Sequence, residues 1–215
     1  MRTSAERGTR ERILEVAESS LAECGYHGTR LHRIAERVGI QKASLFHYFP
    51  SKDDLYRAVL DEGLDETEQT VRQVLDGGGS PSEKIRQLLE AYVEMVAQHP
   101  DRTKILLRQS LGDAPASYHQ PPDAHRVLSA VVAFVSEGQR IKEFAPIDPV
   151  ALTLGVVGMV AFFFTSAPVL APAWCGDPGN PTIVERVKEH VVEVVARCLG
   201  IGHEPTVAAA KVAIA

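Results

Sequence analysis

The chain has 215 residues, 45% of them hydrophobic and 24% charged, and carries a net charge of −5. This is an ordinary soluble globular mix, long enough for one large domain or two small ones, and its acidic balance taken alone argues against a nucleic-acid partner. Three cysteines (Cys24, Cys175 and Cys198) form an odd set without metal-type or redox-type spacing, which fits a reduced, intracellular protein, expected in the cytoplasm, better than a disulfide scaffold.

The charge is unevenly spread. Residues 1–60 hold ten Lys/Arg against eight Asp/Glu, and residues 61–215 hold thirteen against twenty. A mildly basic head on an acidic body suits a head that faces DNA. The opening MRTSAERGTRER lacks the apolar stretch expected of a secretion signal.

Apolar spacing is helical nearly throughout, with no period-two strand. Ile13, Leu14, Ala17, Leu21 and Cys24 stripe a first helix that Gly25 ends. Leu31, Ile34, Ala35 and Val38 mark a short second helix, begun by Thr29 and ended by Gly39. A third runs over about Lys42–Tyr48 and stops before Pro50. Ser51 and Asp54 resemble a capping box for a fourth, which Leu55, Val59, Leu60, Leu64, Val71, Val74 and Leu75 carry toward Gly77.

After the Gly77–Gly79 breaker, Ser80-Pro81-Ser82-Glu83 restarts a helix with cap, N1 proline and N3 glutamate in place. Its buried face is expected at Ile85, Leu88, Leu89, Tyr92 and Val96. A shorter helix follows over about Arg102–Leu111, then a proline-bearing loop over Gly112–Pro122, then a helix marked by Val127, Leu128, Val131, Phe134 and Val135. Asp148-Pro149 opens a run free of Asp, Glu, Lys and Arg up to Gly176. Its length raises the question of a membrane span, but Pro168 and Pro172 interrupt it, so burial between core and partner subunit is the better reading. A Pro/Gly loop over Ala167–Pro181 leads to a last helix capped by Thr182 and Glu185, striped by Val184, Val187, Val191, Val194, Val195 and Cys198, and closed by Gly200.

Residues 9–56 carry the chemistry. Two short helices meeting across Gly39, with a third packed beneath, have the form of a helix-turn-helix, whose second helix lies in the major groove. That helix presents Gln41, Lys42, Ala43 and Ser44 at its start, while Leu45 and Phe49 turn inward. Lys42 is suited to guanine O6/N7 or to a phosphate, and Ala43 to a thymine methyl. Phe46 shares the Lys42 face. Tyr48 and Lys52 are expected at phosphates, Lys52 near the start of the fourth helix, and Thr29 offers a second helix-start phosphate site. His47 and Tyr48 equally fit roles in the core. Arg2, Arg7, Arg10 and Arg12 fit either an arm on DNA or a solvated tail.

The run TRERILEVAESSLAECGYHGTRLHRIAERVGIQKASLFHYFPSKDDLYRAVL resembles the TetR family of bacterial regulators. The marks are Gly25-Tyr26-His27-Gly28-Thr29, Ile34-Ala35, Val38-Gly39 and Leu45-Phe46-His47-Tyr48-Phe49-Pro50-Ser51-Lys52. The resemblance covers about residues 9–60 and puts Thr29, Lys42, Ala43, Ser44, Phe46, Tyr48 and Lys52 at the DNA. Gln41 stands where the family usually has Ser or Thr, which removes a good N-cap, and Phe46 replaces the more usual Tyr.

The resemblance further implies an all-α protein: a helix-turn-helix head over residues 1–56, then a helical effector-binding and dimerisation domain over 57–215. The expected activity is that of a homodimeric regulator on double-stranded operator DNA, a repressor released by a small-molecule ligand. Within the body, Tyr92, Met95, Phe134, Met159, Phe162, Phe163 and Trp174 suit either an apolar ligand pocket or plain core, with Arg108, Gln109 and His99 as polar candidates. Gly155 and Gly158 would let helices approach closely in a dimer. No enzyme motif, metal cluster or cofactor site is found: G-x-S-x-G, H-E-x-x-H, a P-loop and G-x-G-x-x-G are all missing, and Gly25 breaks the helix between Cys24 and His27. The alternatives are a constitutive DNA-binding protein without ligand and a membrane-anchored helical protein.

Overall fold

The computed structural model describes residues 4–116, 122–170 and 177–202, and among these described residues it has nine α-helices and no strand. They are α1 (Ser4–Gly28), α2 (Leu31–Val38), α3 (Lys42–Tyr48), α4 (Lys52–Asp76), α5 (Pro81–Gln98), α6 (Pro100–Ser110), α7 (Pro122–Arg140), α8 (Pro149–Leu170) and α9 (Pro181–Leu199). By its internal packing the chain divides into two units, residues 1–70 with 98–127 and residues 71–97 with 128–215.

The first unit holds the three-helix head. α1 breaks at Gly25, whose φ of 70° and ψ of 177° leave the helical region, and one further turn reaches Gly28. Ile13, Leu14, Ala17 and Leu21 are buried as the stripe demands, but Cys24 is exposed and Ala22 takes the inward place. α2 starts one residue past the expected point, with Arg30 as its N-cap, and ends at Gly39, whose left-handed φ of 79° lets its N–H reach the carbonyls of Ala35 and Glu36. α3 follows at once, and Leu45 at 0% exposure and Phe49 pin it to the core of α1, α2 and α4. The Arg12 guanidinium donates to the Val38 carbonyl (2.8 Å) and Arg37 to the Ser20 hydroxyl (3.0 Å), tying α1 to α2.

α4 begins with the expected reciprocal cap: the Ser51 hydroxyl donates to the Asp54 carboxylate (2.7 Å) and accepts the Asp54 N–H (3.1 Å). α6 lies against α1, with Ile105 in the head core. Arg102 of α6 crosses α4 at Gly63, where any side chain would overlap it, and its Nη1 and Nη2 reach Glu66 (2.9 Å) and Glu18 (3.5 Å).

In the second unit, the α5 cap is as the sequence predicts. The Ser80 N–H and hydroxyl both donate to Glu83 Oε2, at 2.7 and 2.9 Å, and the Ser80 oxygen accepts the Glu83 N–H. The inward face of α5 is Ile85, Leu88, Leu89, Val93 and Val96; Val93 rather than Tyr92 sits at its centre. α9 is capped by Asn180, whose side chain accepts the Thr182 N–H (2.9 Å), not by Thr182 itself. Val187, Val191, Val195 and Leu199 of α9 join Val160 and Phe164 of α8 in the second core. Here too Cys198 is exposed. α8 runs on through Pro168 to Leu170, past the expected end at Ala167.

Candidate nucleic-acid interface

The outward side of α3 is built from consecutive exposed residues on a short helix anchored by Leu45 and Phe49. Gln41, Lys42, Ala43, Ser44, Phe46 and His47 are exposed, and Tyr48 is half-buried against the core. Phe46 keeps 37% of its surface open, with the Lys42 ammonium 5.5 Å from its ring centroid. His47 faces solvent and meets the Tyr48 ring edge-on, so the core role open to it from sequence does not apply. Gln41 is the N-cap of α3 and makes no side-chain capping bond, in line with the missing hydroxyl.

Two expected phosphate ligands are placed differently. Thr29 is only 5% exposed; its hydroxyl donates to the carbonyls of Gly25 (2.7 Å) and Ser20 (3.0 Å), and its N–H is also bonded inside the head. Thr29 therefore staples the α1–α2 corner and has no donor to give a phosphate. Lys52 is half-buried, its ammonium 4.4 Å from the Tyr26 ring centroid. Burial lowers the Lys52 pKa, against an upward pull from the carboxylates of Asp113 and Asp53. The Tyr26 hydroxyl donates to Asp53, and burial together with that bond pushes its pKa up to about 12. Of the N-terminal arginines, Arg12 is committed to Val38 and Arg10 stacks 5.5 Å from the Phe49 ring. Arg2 and the Arg7 side chain lie outside the described residues.

The residues expected in a ligand pocket are scattered. Tyr92, Met95, Phe134, Met159 and Phe163 are partly buried against the second core, and the Tyr92 hydroxyl donates to the Val157 carbonyl (3.2 Å). Phe162 faces the other way at 59% exposure and does not join them. Arg108 belongs to the first unit, where its Nε and Nη2 donate to the carbonyls of Ala22 and Glu23, both at 3.2 Å, so it caps the end of α1. Gln109 and His99 lie in the same unit. Trp174 lies outside the described residues. No group of three or more metal-ligating side chains occurs among the described residues.

A tri-helical head whose third helix shows a small, polar and singly basic outer face is a helix-turn-helix DNA-binding unit. A family profile described as "Bacterial regulatory proteins, tetR family" matches residues 13–59, and "Tetracyclin repressor-like, C-terminal domain" matches residues 81–195. The chain belongs to the TetR family: it is a DNA-binding transcriptional regulator and not an enzyme.

Among relatives, the chain is 29% identical over 149 residues to the HTH-type transcriptional regulator RutR of Escherichia coli, covering 69% of this chain and 70% of RutR. It is 26% identical over 189 residues to the HTH-type transcriptional repressor KstR2 of Mycolicibacterium smegmatis, covering 86% and 88%. The solved structure of the ketosteroid transcriptional regulator KstR2 of Mycobacterium tuberculosis has the same fold, with a TM-score of 0.70 at 22% identity, covering 88% of this chain and 94% of that one. One helix among the described residues is apolar and long enough to cross a membrane, over Pro149–Ser166, and it falls inside the matched C-terminal domain.

Proposed function

We propose that the protein is a cytoplasmic, homodimeric repressor that holds operator DNA through paired α3 helices and releases it on binding a largely apolar small molecule. The observation that carries this reading is the exposed row Gln41, Lys42, Ala43, Ser44, Phe46 and His47 on a helix locked by Leu45 and Phe49. Lys52 and Tyr48 flank that row and meet phosphates, and Lys42 and Ala43 meet base edges.

Pairing is supported by α8. Ala151, Leu154, Gly155, Gly158, Phe162 and Val169 recur at helical spacing on its exposed side, and among the described residues nothing lies within 4 Å of the positions a Cβ would take at Gly155 and Gly158. An apolar stripe notched by two glycines fits close packing against a second copy. The effector class is supported by the partly buried Tyr92, Met95, Phe134, Met159 and Phe163. That the effector is a small molecule is supported by AibR, similar in fold with a TM-score of 0.66 at 19% identity, which was solved with isovaleryl coenzyme A and operator DNA. Release follows if the ligand favours a spacing of the two α3 helices that misses successive major grooves.

The test is selection of bound duplexes from a random pool by the purified protein. An inverted repeat with half-sites about 34–36 Å apart is the expected product. A pool that shows no enrichment, or an enriched site whose binding survives Lys42→Ala and Ser44→Ala unchanged, overturns the reading.

A further inference from the structure

One aromatic side chain of α1 engages both of the residues that open α4. Past the break at Gly25, the last turn of α1 carries Tyr26 to Lys52 and Asp53. The Tyr26 hydroxyl donates to the Asp53 carboxylate, and the Lys52 ammonium lies over the Tyr26 ring, 4.4 Å from its centroid. The ring is itself held. Tyr56, buried in the head core, meets it edge to face at 5.4 Å, and His27 does so at 5.2 Å. Tyr26 is partly buried against that same core. A fixed aromatic platform therefore lies under a lysine that opens α4 just after α3 ends at Tyr48.

We propose that Tyr26 is a positioning residue for DNA binding: the face of its ring holds the Lys52 ammonium in place ahead of a DNA phosphate. The inference rests on Lys52 being a phosphate ligand, as read above, and adds what presents it. A lysine side chain is long and loses much rotamer freedom when it is ordered. The ring draws the ammonium by the negative charge of its face. The ammonium carries three N–H donors, and a ring beneath it leaves donors open to phosphate oxygens. Lys52 is thus ordered before DNA arrives. A carboxylate partner would order it too, but would compete with the phosphate for the same charge. The nearby Asp53 carboxylate is instead engaged by the Tyr26 hydroxyl, so one side chain presents the cation and occupies the neighbouring anion.

Two substitutions separate the ring face from the hydroxyl without changing the size of the ring. Tyr26→Phe keeps the face and removes the bond to Asp53. A trifluorinated phenylalanine at the same position also withdraws the negative charge from the face. The test is binding of the full-length wild type and both variants, each with and without Lys52→Gln, to a mixed-sequence DNA duplex across a salt series. Tyr26→Phe should stay within about twofold of the wild type. The fluorinated ring should bind about two- to tenfold more weakly at low salt, the cost of ordering one long side chain on binding. Its log–log salt slope should be shallower by up to about 0.9, the value of one phosphate contact. In the Lys52→Gln background the three rings should bind alike. A loss of equal size with and without Lys52 means that the ring acts through packing of the head, and it overturns the proposal. So does a fluorinated ring that binds as well as Tyr26→Phe or better, or a Tyr26→Phe loss as large as that of the fluorinated ring. If Lys52→Gln by itself matches the wild type in affinity and slope, the phosphate role of Lys52 fails and the proposal falls with it; a Lys52→Gln loss without dependence on the ring sinks the proposal alone.

Discussion

In the first unit α1, α2, α3 and α4 bring Ile13, Ala17, Ile34, Leu45, Leu55 and Tyr56 to almost complete burial within one chain, whereas in the second unit α8 buries Val160 and Phe164 and leaves Leu154, Phe162, Val169 and Leu170 more than half open. The two surfaces left exposed also differ in chemistry. On α3 the outward residues other than Phe46 are small, polar or basic and can stay in water until DNA arrives. On α8 they are apolar, and water is a poor final environment for them. The head is complete as a folded object and waits for a polar polymer. The described part of the body leaves an apolar stripe open, which in the proposed reading a second copy covers. A symmetric pair of heads on a paired body is the arrangement that an operator with two half-sites requires.

The sharpest way to break this comparison is to charge the α8 stripe. Phe162→Glu puts a carboxylate where the side chain is 59% exposed, so the fold of one protomer should change by no more than about 0.5 kcal/mol. Pairing should be lost, and operator affinity with it by about a hundredfold or more, as two linked contacts become one. Sedimentation velocity and titration of a selected duplex read both effects; a stable dimer with intact affinity removes α8 as the pairing face. The head is tested by Leu45→Ala. Leu45 is fully buried beneath α3, so its truncation should cost about 2–5 kcal/mol and loosen the helix it anchors. Denaturant melts should show a lower midpoint, and DNA binding should weaken while self-association persists.

Legibility followed the same divide between local and distant causes. Lys42–Tyr48 as a helix, Leu45 and Phe49 as its inward residues, Gly39 as the left-handed turn and the caps at Ser51 and Ser80 were all readable, because each is decided by neighbours within four residues. The exposed row on α3 was readable for that reason too. The sequence offers Thr29 as a phosphate ligand, but its hydroxyl is claimed by the carbonyls of Gly25 and of Ser20, the latter nine residues back across a corner that only the folded α1 creates. Arg108 looked like a pocket residue until α6 docked on α1 and handed it the carbonyls of Ala22 and Glu23. Asp113 gave no signal at all, since the His27 N–H that it accepts lies 86 residues away in the chain. The α9 cap was recoverable: proline favours the first helical position, so Pro181 already pointed to Asn180 as the cap.

The break in α1 offers a finer probe of the head. Gly25 has two independent reasons to be glycine, its positive φ and the Asp113 carboxylate packed beside it. Gly25→Ala should therefore cost about 1–3 kcal/mol from backbone strain alone. Pairing Gly25→Ala with Asp113→Gly, which clears the space but leaves the dihedral, should recover only part of the loss in a thermal melt. Full recovery would mean that crowding and not strain demands the glycine.

The smallest expected effect lies at the start of α5, in the second unit. Ser80→Ala removes the acceptor of the Glu83 N–H and should lower the melting temperature by roughly 2–4 °C at neutral pH. The Ser80 backbone N–H and then its hydroxyl hold the Glu83 carboxyl below the ordinary carboxylate value. A depressed pKa in the folded state means that the unfolded chain takes up this proton first as pH falls. The contribution of Glu83 is thus fully present above its unfolded value of 4.5 and fades as pH drops through the lower folded one. Glu83→Gln should melt earlier than the wild type at pH 7 and approach it as the medium is made more acid than pH 4.5. A gap between the two that stays constant through that range would show that the carboxylate charge does not take part in the cap.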